Sequence, residues 1–139
     1  MKIESRLAEL NIILPPSPKP AGNYVPFVVA LPLVFIAGQV PRMNGEVAFT
    51  GKVPSASDEK RAMQAARVCA LNILAQLRAA CDGNLDRVKR CVRLAGFVNS
   101  DPSFTRQPAV LNGASDLMVQ VFGEQGAHGA TLLFQMERT

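Results

Sequence analysis

His128 is the single histidine of the chain, so any Ser-His-Asp or Cys-His catalytic pair must use it. Nothing in the sequence places a nucleophile beside it, and a histidine next to a Gly-rich turn reads more simply as a surface or satisfied side chain. No Gly-rich phosphate loop and no His-Glu-x-x-His pattern is present. Cys69, Cys81 and Cys91 are odd in number and have no close Cys or His spacing. They suggest a reducing compartment, and neither a disulfide framework nor a zinc site. Arg87, Lys89, Arg90 and Arg93 form a basic cluster that could touch phosphates. Strand alternation would split that cluster between two faces, and only Phe97 is near enough to serve as a stacking platform, so nucleic acid is a disfavoured partner. The polar residues left for chemistry are Tyr24, Gln39, Asn99, Thr105 and Asn112, at strand ends, in loops or on a helix. Each also has a plain reading, as a turn residue or a solvated helix residue.

The elements that must position these residues are organised around Asp86–Ser100, which reads as one long strand. Successive strand side chains point to opposite faces. Val88, Val92, Leu94 and Val98 would face a core, with Gly96 as a gap; Lys89, Cys91, Arg93, Ala95, Phe97 and Asn99 would face a cleft or an interface. A helical pattern precedes this strand. Ser55 or Ser57 can cap it, Asp58 and Glu59 suit its first turn, and Ala62, Ala66, Cys69, Ala70, Ile73 and Leu77 make its buried stripe to about Ala80. Gly83 suits the left-handed position at its end. A second helix starts near Thr105 to Pro108 and carries Val110, Ala114, Leu117, Val121 and Phe122 to a stop at Gly123.

Upstream, residues 3–11 predict a short amphipathic helix, and Leu14–Pro20, with four prolines, an extended connector rather than a proline-rich ligand. Tyr24–Ala30 and Leu33–Ala37 predict strands, Met43–Glu46 a tight Asn-Gly turn, Val47–Thr50 a third strand and Ala130–Met136 a final one. Pro20–Pro41 carries no charge and is long enough to cross a bilayer. Its internal prolines and β-branched residues fit a hairpin better, so no membrane partner is expected. The 139 residues, 48% hydrophobic and 19% charged with a net charge of +4, fit one globular domain over 1–139, with 1–20 as helix and connector. The start of the chain lacks the apolar run of a signal peptide, and the expected location is cytoplasmic. The order β-β-β-α-β-α-β after a helix predicts an α+β fold, a mixed sheet with two helices on one face. The other face would stay uncovered, and an apolar patch there predicts a homo-oligomer.

Several blocks stand in order along the chain: Asn23-Tyr24-Val25-Pro26, Ala37-Gly38-Gln39-Val40-Pro41, Gly51-Lys52-Val53, Arg67-Val68-Cys69-Ala70-Leu71-Asn72, Val92–Ser100 and Asn112-Gly113-Ala114-Ser115-Asp116-Leu117. Together, over about residues 3–128, they resemble the RidA/YjgF (endoribonuclease L-PSP) family, in its subgroup with an N-terminal helical extension. The resemblance implies a chorismate-mutase-like α+β fold, a homotrimer, and ligand clefts between subunits. It implies hydrolysis of reactive enamines and imines to 2-oxo acids and ammonia, without a metal or organic cofactor. The substrate-binding residues it implies are Tyr24, Gly38, Gln39, Phe97, Asn99 and Asn112. The family's carboxylate-binding arginine falls on Ala130 here, and the family's last strand, with the acidic residue assigned to water activation, has no counterpart in the tail 132–139. The expectation is therefore a deaminase-like cleft whose catalytic residues are unassigned. The alternatives are a non-catalytic trimer that binds a small imino or oxo acid, and an RNA-binding, endoribonuclease-like protein.

Overall fold

Asp58 begins the longest element of the molecule. Its carboxylate accepts the backbone N–H of Arg61 at 2.7 Å, an N-cap that satisfies one of the free donors of the first turn. Helix α2 (Glu59–Ala80) follows. The computed structural model describes residues 2–17, 22–127 and 132–136, the last of these as backbone. Neither Ser55 nor Ser57, the expected caps, caps α2: the N–H and hydroxyl of Ser55 bond the Asp101 carboxylate at 3.1 and 2.9 Å, and the Ser57 N–H bonds the Lys52 carbonyl at 3.0 Å. At the far end the Gly83 N–H reaches the Arg78 carbonyl at 2.8 Å, with Asp82 and Gly83 both left-handed, as the terminal glycine leads one to expect.

The elements run in the order α1 (Lys2–Glu9), β1 (Phe27–Ala30), β2 (Leu33–Ile36), β3 (Arg42–Met43), β4 (Glu46–Val47), α2, β5 (Ala95–Asn99), α3 (Gln107–Phe122) and β6 (Leu132–Met136). Short 3-10 turns cover Leu85–Arg87 and Gly123–Gly126. Pro108 lies in the first turn of α3 and Gly123 ends it, both as its sequence predicts. α2 and α3 pack face to face. A Cβ on Gly113 would overlap the Met63 carbonyl oxygen, so the two helices touch backbone to backbone there. The core lies between these helices and the strands: Leu74, Leu85 and Leu117 are fully buried, joined by Ala62, Ala66, Ala70, Val110, Ala114 and Val121.

The strands depart from expectation in two ways. They form three two-stranded ladders: β1–β2 and β3–β4 antiparallel, β5–β6 parallel. Parallel and antiparallel pairing do mix, but a continuous sheet is not formed among the described residues; a lone parallel bridge joins Val53 to Ser100. Pro41 lies between the β1–β2 and β3–β4 ladders and Pro54 between β4 and β5, and neither has the N–H that would extend a ladder. The strand expected over 86–100 is also shorter. Residues 85–87 turn and the Val88 N–H closes that turn on the Leu85 carbonyl at 3.1 Å; beyond it, over 89–94, the described backbone bonding is a single contact, Cys91 N–H to the Gln125 carbonyl at 2.8 Å. Val92, expected in the core, is 57% exposed, while Leu94 and Val98 are buried. The alternation holds only where α3 covers the strand.

Pro20–Pro41 forms a hairpin over its described residues, and no described helix is long and apolar enough to cross a membrane. The N-terminal helix is present and fastened: the Asp86 carboxylate accepts the N–H groups of Lys2 and Ile3, both at 2.9 Å, and Leu7 enters the core. Asp86, expected to open a strand, caps a helix instead.

Candidate functional site

The β1–β2 hairpin brings Tyr24, Gly38 and Gln39 to one end. The Ala37 N–H donates to the Pro26 carbonyl at 2.9 Å, which closes the open end of the ladder and sets the residues before β1 beside those after β2. Tyr24 is half exposed. The Gln39 side chain donates back to the Ala37 carbonyl at 2.9 Å, so this amide holds its own turn, and Gly38 is exposed with open space around it.

What fixes that turn to the body is Asn72, which the sequence reading placed in a motif block without giving it a role. Asn72 is 2% exposed on α2, and its amide donates to the carbonyls of Val40 and Arg42 at 3.2 and 3.1 Å. Two backbone acceptors after the Gly38-Gln39 turn are thereby paired in a partly buried place where they would otherwise be costly. A signal was available: position 72 falls among the buried positions 70, 74 and 75 of a helical stripe, where an amide needs partners.

Phe97 and Asn99 lie on β5. Ala95, Phe97 and Asn99 are exposed, and Val98 is buried on the opposite face. Gly96 sits under Leu111 of α3, where a Cβ would meet the Leu111 side chain. Asn112 is the next residue of α3 and is exposed, close to the helix–strand contact. The site residues therefore fall in two groups on separate ladders, one at the β1–β2 end and one at β5 with α3. Ala130 and His128 lie outside the described residues. Thr105 is exposed just before α3.

Among the described residues the three thiols are not activated nucleophiles. Burial pushes the Cys69 thiol up to about 11 and raises Cys81 and Cys91 as well. Raised thiols stay protonated and unreactive near neutral pH. Among the described residues no group of three or more His, Cys, Asp or Glu side chains converges where a metal ion could sit. Arg106 holds the Glu59 carboxylate with its Nε at 2.9 and 3.0 Å, an exposed pair that lowers the Glu59 pKa and ties α3 to α2.

Residues 4–136 match the family described as "YjgF/chorismate mutase-like, putative endoribonuclease". The chain belongs to this family. The match runs past residue 128, where the resemblance in sequence ends, and takes in β6. Protein TCP17 of Trypanosoma cruzi is 44% identical over 128 residues, 91% of this chain and 79% of that protein. The structure of Atu1372 from Agrobacterium tumefaciens, described as of unknown function, is 44% identical with a TM-score of 0.87, over 97% of this chain and 81% of that one. A structure described as a putative endoribonuclease from Shewanella oneidensis MR-1 is 33% identical with a TM-score of 0.92, over 98% and 89%. The chorismate-mutase-like α+β fold of this YjgF-family chain thus rests on both sequence and structure.

Proposed function

We propose that this YjgF-family protein binds small 2-imino or 2-oxo acids in a cleft built on the exposed face of β5, and that it hydrolyses the imine. The observation that carries this reading is Phe97, 61% exposed on a strand whose opposite face is buried, with Asn99 beside it and Asn112 exposed on the helix that packs there. An aromatic ring flanked by amides suits a small molecule with an apolar stem and a polar head. In the reaction water adds to the imine carbon, the nitrogen takes up protons, and the tetrahedral adduct expels ammonia to leave the 2-oxo acid. No described side chain is assigned as the acid or base of that sequence.

The cleft is completed, on this reading, by a homotrimer. Val28 pairs with Phe35 and Ala30 with Leu33 across the hairpin, and all four are exposed. Apolar surface of this kind marks association. Light scattering of the purified chain at several concentrations tests it, and a monomer throughout removes the trimer.

The test of function is ammonia and 2-oxobutyrate release from 2-iminobutyrate, with Ala130→Arg alongside. Turnover by the unchanged chain establishes the hydrolase. Activity only in Ala130→Arg means a cleft that binds without catalysing. Silence from both refutes the hydrolase. A second reading, RNA binding, is favoured by the exposed Lys89, Arg90 and Arg93 and by the putative endoribonuclease from Shewanella oneidensis among its relatives. RNA affinity that falls steeply from low to moderate salt supports it, because phosphate contacts release counterions.

A further inference from the structure

Resting on the reading that the β5 face forms an oxo- or imino-acid cleft, we propose that Arg93 is the cation that grips the substrate carboxylate. From residue 93 to residue 99 exposure alternates: Leu94 and Val98 are buried and Gly96 lies under Leu111, whereas Arg93, Ala95, Phe97 and Asn99 are exposed. Arg93 lies two residues before β5, and its exposure continues the pattern of Ala95, Phe97 and Asn99 beyond the strand. Arg93 and Phe97 stand four residues apart, about 13 Å of extended chain, so the short side chain of Ala95 leaves a gap between them that the long Arg93 side chain can reach across toward the ring. A molecule with a carboxylate at one end and a short apolar chain at the other matches that order. A guanidinium is charged at every working pH and takes a carboxylate with two parallel hydrogen bonds.

Three other arginines are engaged by carboxylates. Arg106 is held by Glu59, Arg87 pairs with Asp82 at 3.1 Å, and Arg78 faces Glu4 at 3.7 Å. Arg93 enters no hydrogen bond or ion pair through its side chain among the described residues; its backbone carbonyl alone takes part, accepting from the Cys91 thiol. Arg90 is exposed too, but it lies before the stretch in which the alternation holds. The position is distinct from the slot of Ala130, so the chain carries a candidate anchor where its own fold places one.

The experiment is a calorimetric titration of the intact protein with 2-oxobutyrate and with its methyl ester, repeated on Arg93→Gln, Arg93→Lys and Arg90→Gln. Thermal melts check that each variant folds, which an exposed position permits. The expected result is a loss of about 10- to 100-fold in 2-oxobutyrate affinity for Arg93→Gln, the usual scale of a lost charge-assisted hydrogen bond. Arg93→Lys retains the charge and falls between, the ester binds both forms equally, and Arg90→Gln matches the unchanged chain. Equal 2-oxobutyrate affinity in Arg93→Gln overturns the role of Arg93 and leaves the cleft standing. Equal losses in Arg93→Gln and Arg90→Gln also overturn it, because then only the general positive field matters. If the unchanged protein binds no 2-oxobutyrate, the cleft itself fails and the anchor with it.

Discussion

Replacing Gly113 by Ala tests the central contact of the fold. On an exposed helix the change would stabilise by about 1 kcal/mol, the difference in helix propensity. Here the added Cβ would overlap the Met63 carbonyl oxygen and lie 2.9 Å from its carbon and 3.2 Å from its Cα. All three are backbone atoms of α2, which cannot rotate aside, so the helices must part. Separation by about 0.5–1 Å forfeits a quarter to a half of the dispersion energy of each contact it opens. Ala62, Ala66, Ala70, Val110 and Ala114 all lie in the core that these helices share. Overpacking of this kind costs about 1–3 kcal/mol, and more when backbone must move. Set against the propensity gain, the net expectation is a loss of about 2 kcal/mol. For a chain of this size that lowers Tm by roughly 4–10 °C. Scanning calorimetry at one fixed protomer concentration reads it, since association would otherwise move Tm. Asp116→Ala, on the exposed side of the same helix, should stay within about 0.5 kcal/mol of the unchanged protein. An unchanged or raised Tm for Gly113→Ala refutes the argument that α2 and α3 meet backbone to backbone.

Three further outcomes follow from the geometry. Asn72→Ala should cost about 1–3 kcal/mol in denaturant unfolding, because it strips the donor from two carbonyls, and it should loosen the Gly38-Gln39 turn, seen as faster amide exchange there. The Asp86 carboxylate is held below its ordinary 3.8, first by the Ile3 N–H, so its contribution to α1 docking is present above that value and lost as pH falls below it. Limited proteolysis should therefore release the N-terminal helix increasingly as pH is lowered well below 3.8 and not at pH 6, whereas Asp86→Asn should be equally cleavable throughout. Cys69, with its thiol raised to about 11, should react slowly with a thiol reagent at pH 8 in the folded protein, while all three cysteines react quickly in denaturant. Fast labelling of Cys69 in the native state would contradict the burial.

Much of the helical frame is legible in the chain. α2 and α3 announce themselves by apolar spacing and by terminal glycines, since these are local signals set by 3.6-residue periodicity and by φ. The Asn44-Gly45 turn is equally local. The strand expected over 86–100 spans only Ala95–Asn99, because alternation says which residues could face a core and not whether anything covers them. Val92 satisfies the pattern yet is exposed. Ser55 and Ser57 are able N-caps by type, yet Asp58 caps the helix, and Ser55 instead bonds Asp101, 46 residues away. Of the site, the residue types at Tyr24, Gln39, Phe97, Asn99 and Asn112 were readable. Asn72, which pins the turn, was not assigned, because its acceptors lie 30 and 32 residues away.

By itself the sequence determined the family, the α+β class and the positions of the two main helices, because motif blocks and hydrophobic periods are written along the chain. Tertiary structure decided which faces are buried. It set Gly113 against Met63, gave Asp86 to the first turn of α1, and left Val92 exposed where alternation asks for a core residue. The physical reason is the same in each case: a side chain's partner is chosen by distance in space, and residues far apart in sequence become neighbours only when the helices dock and the strands pair.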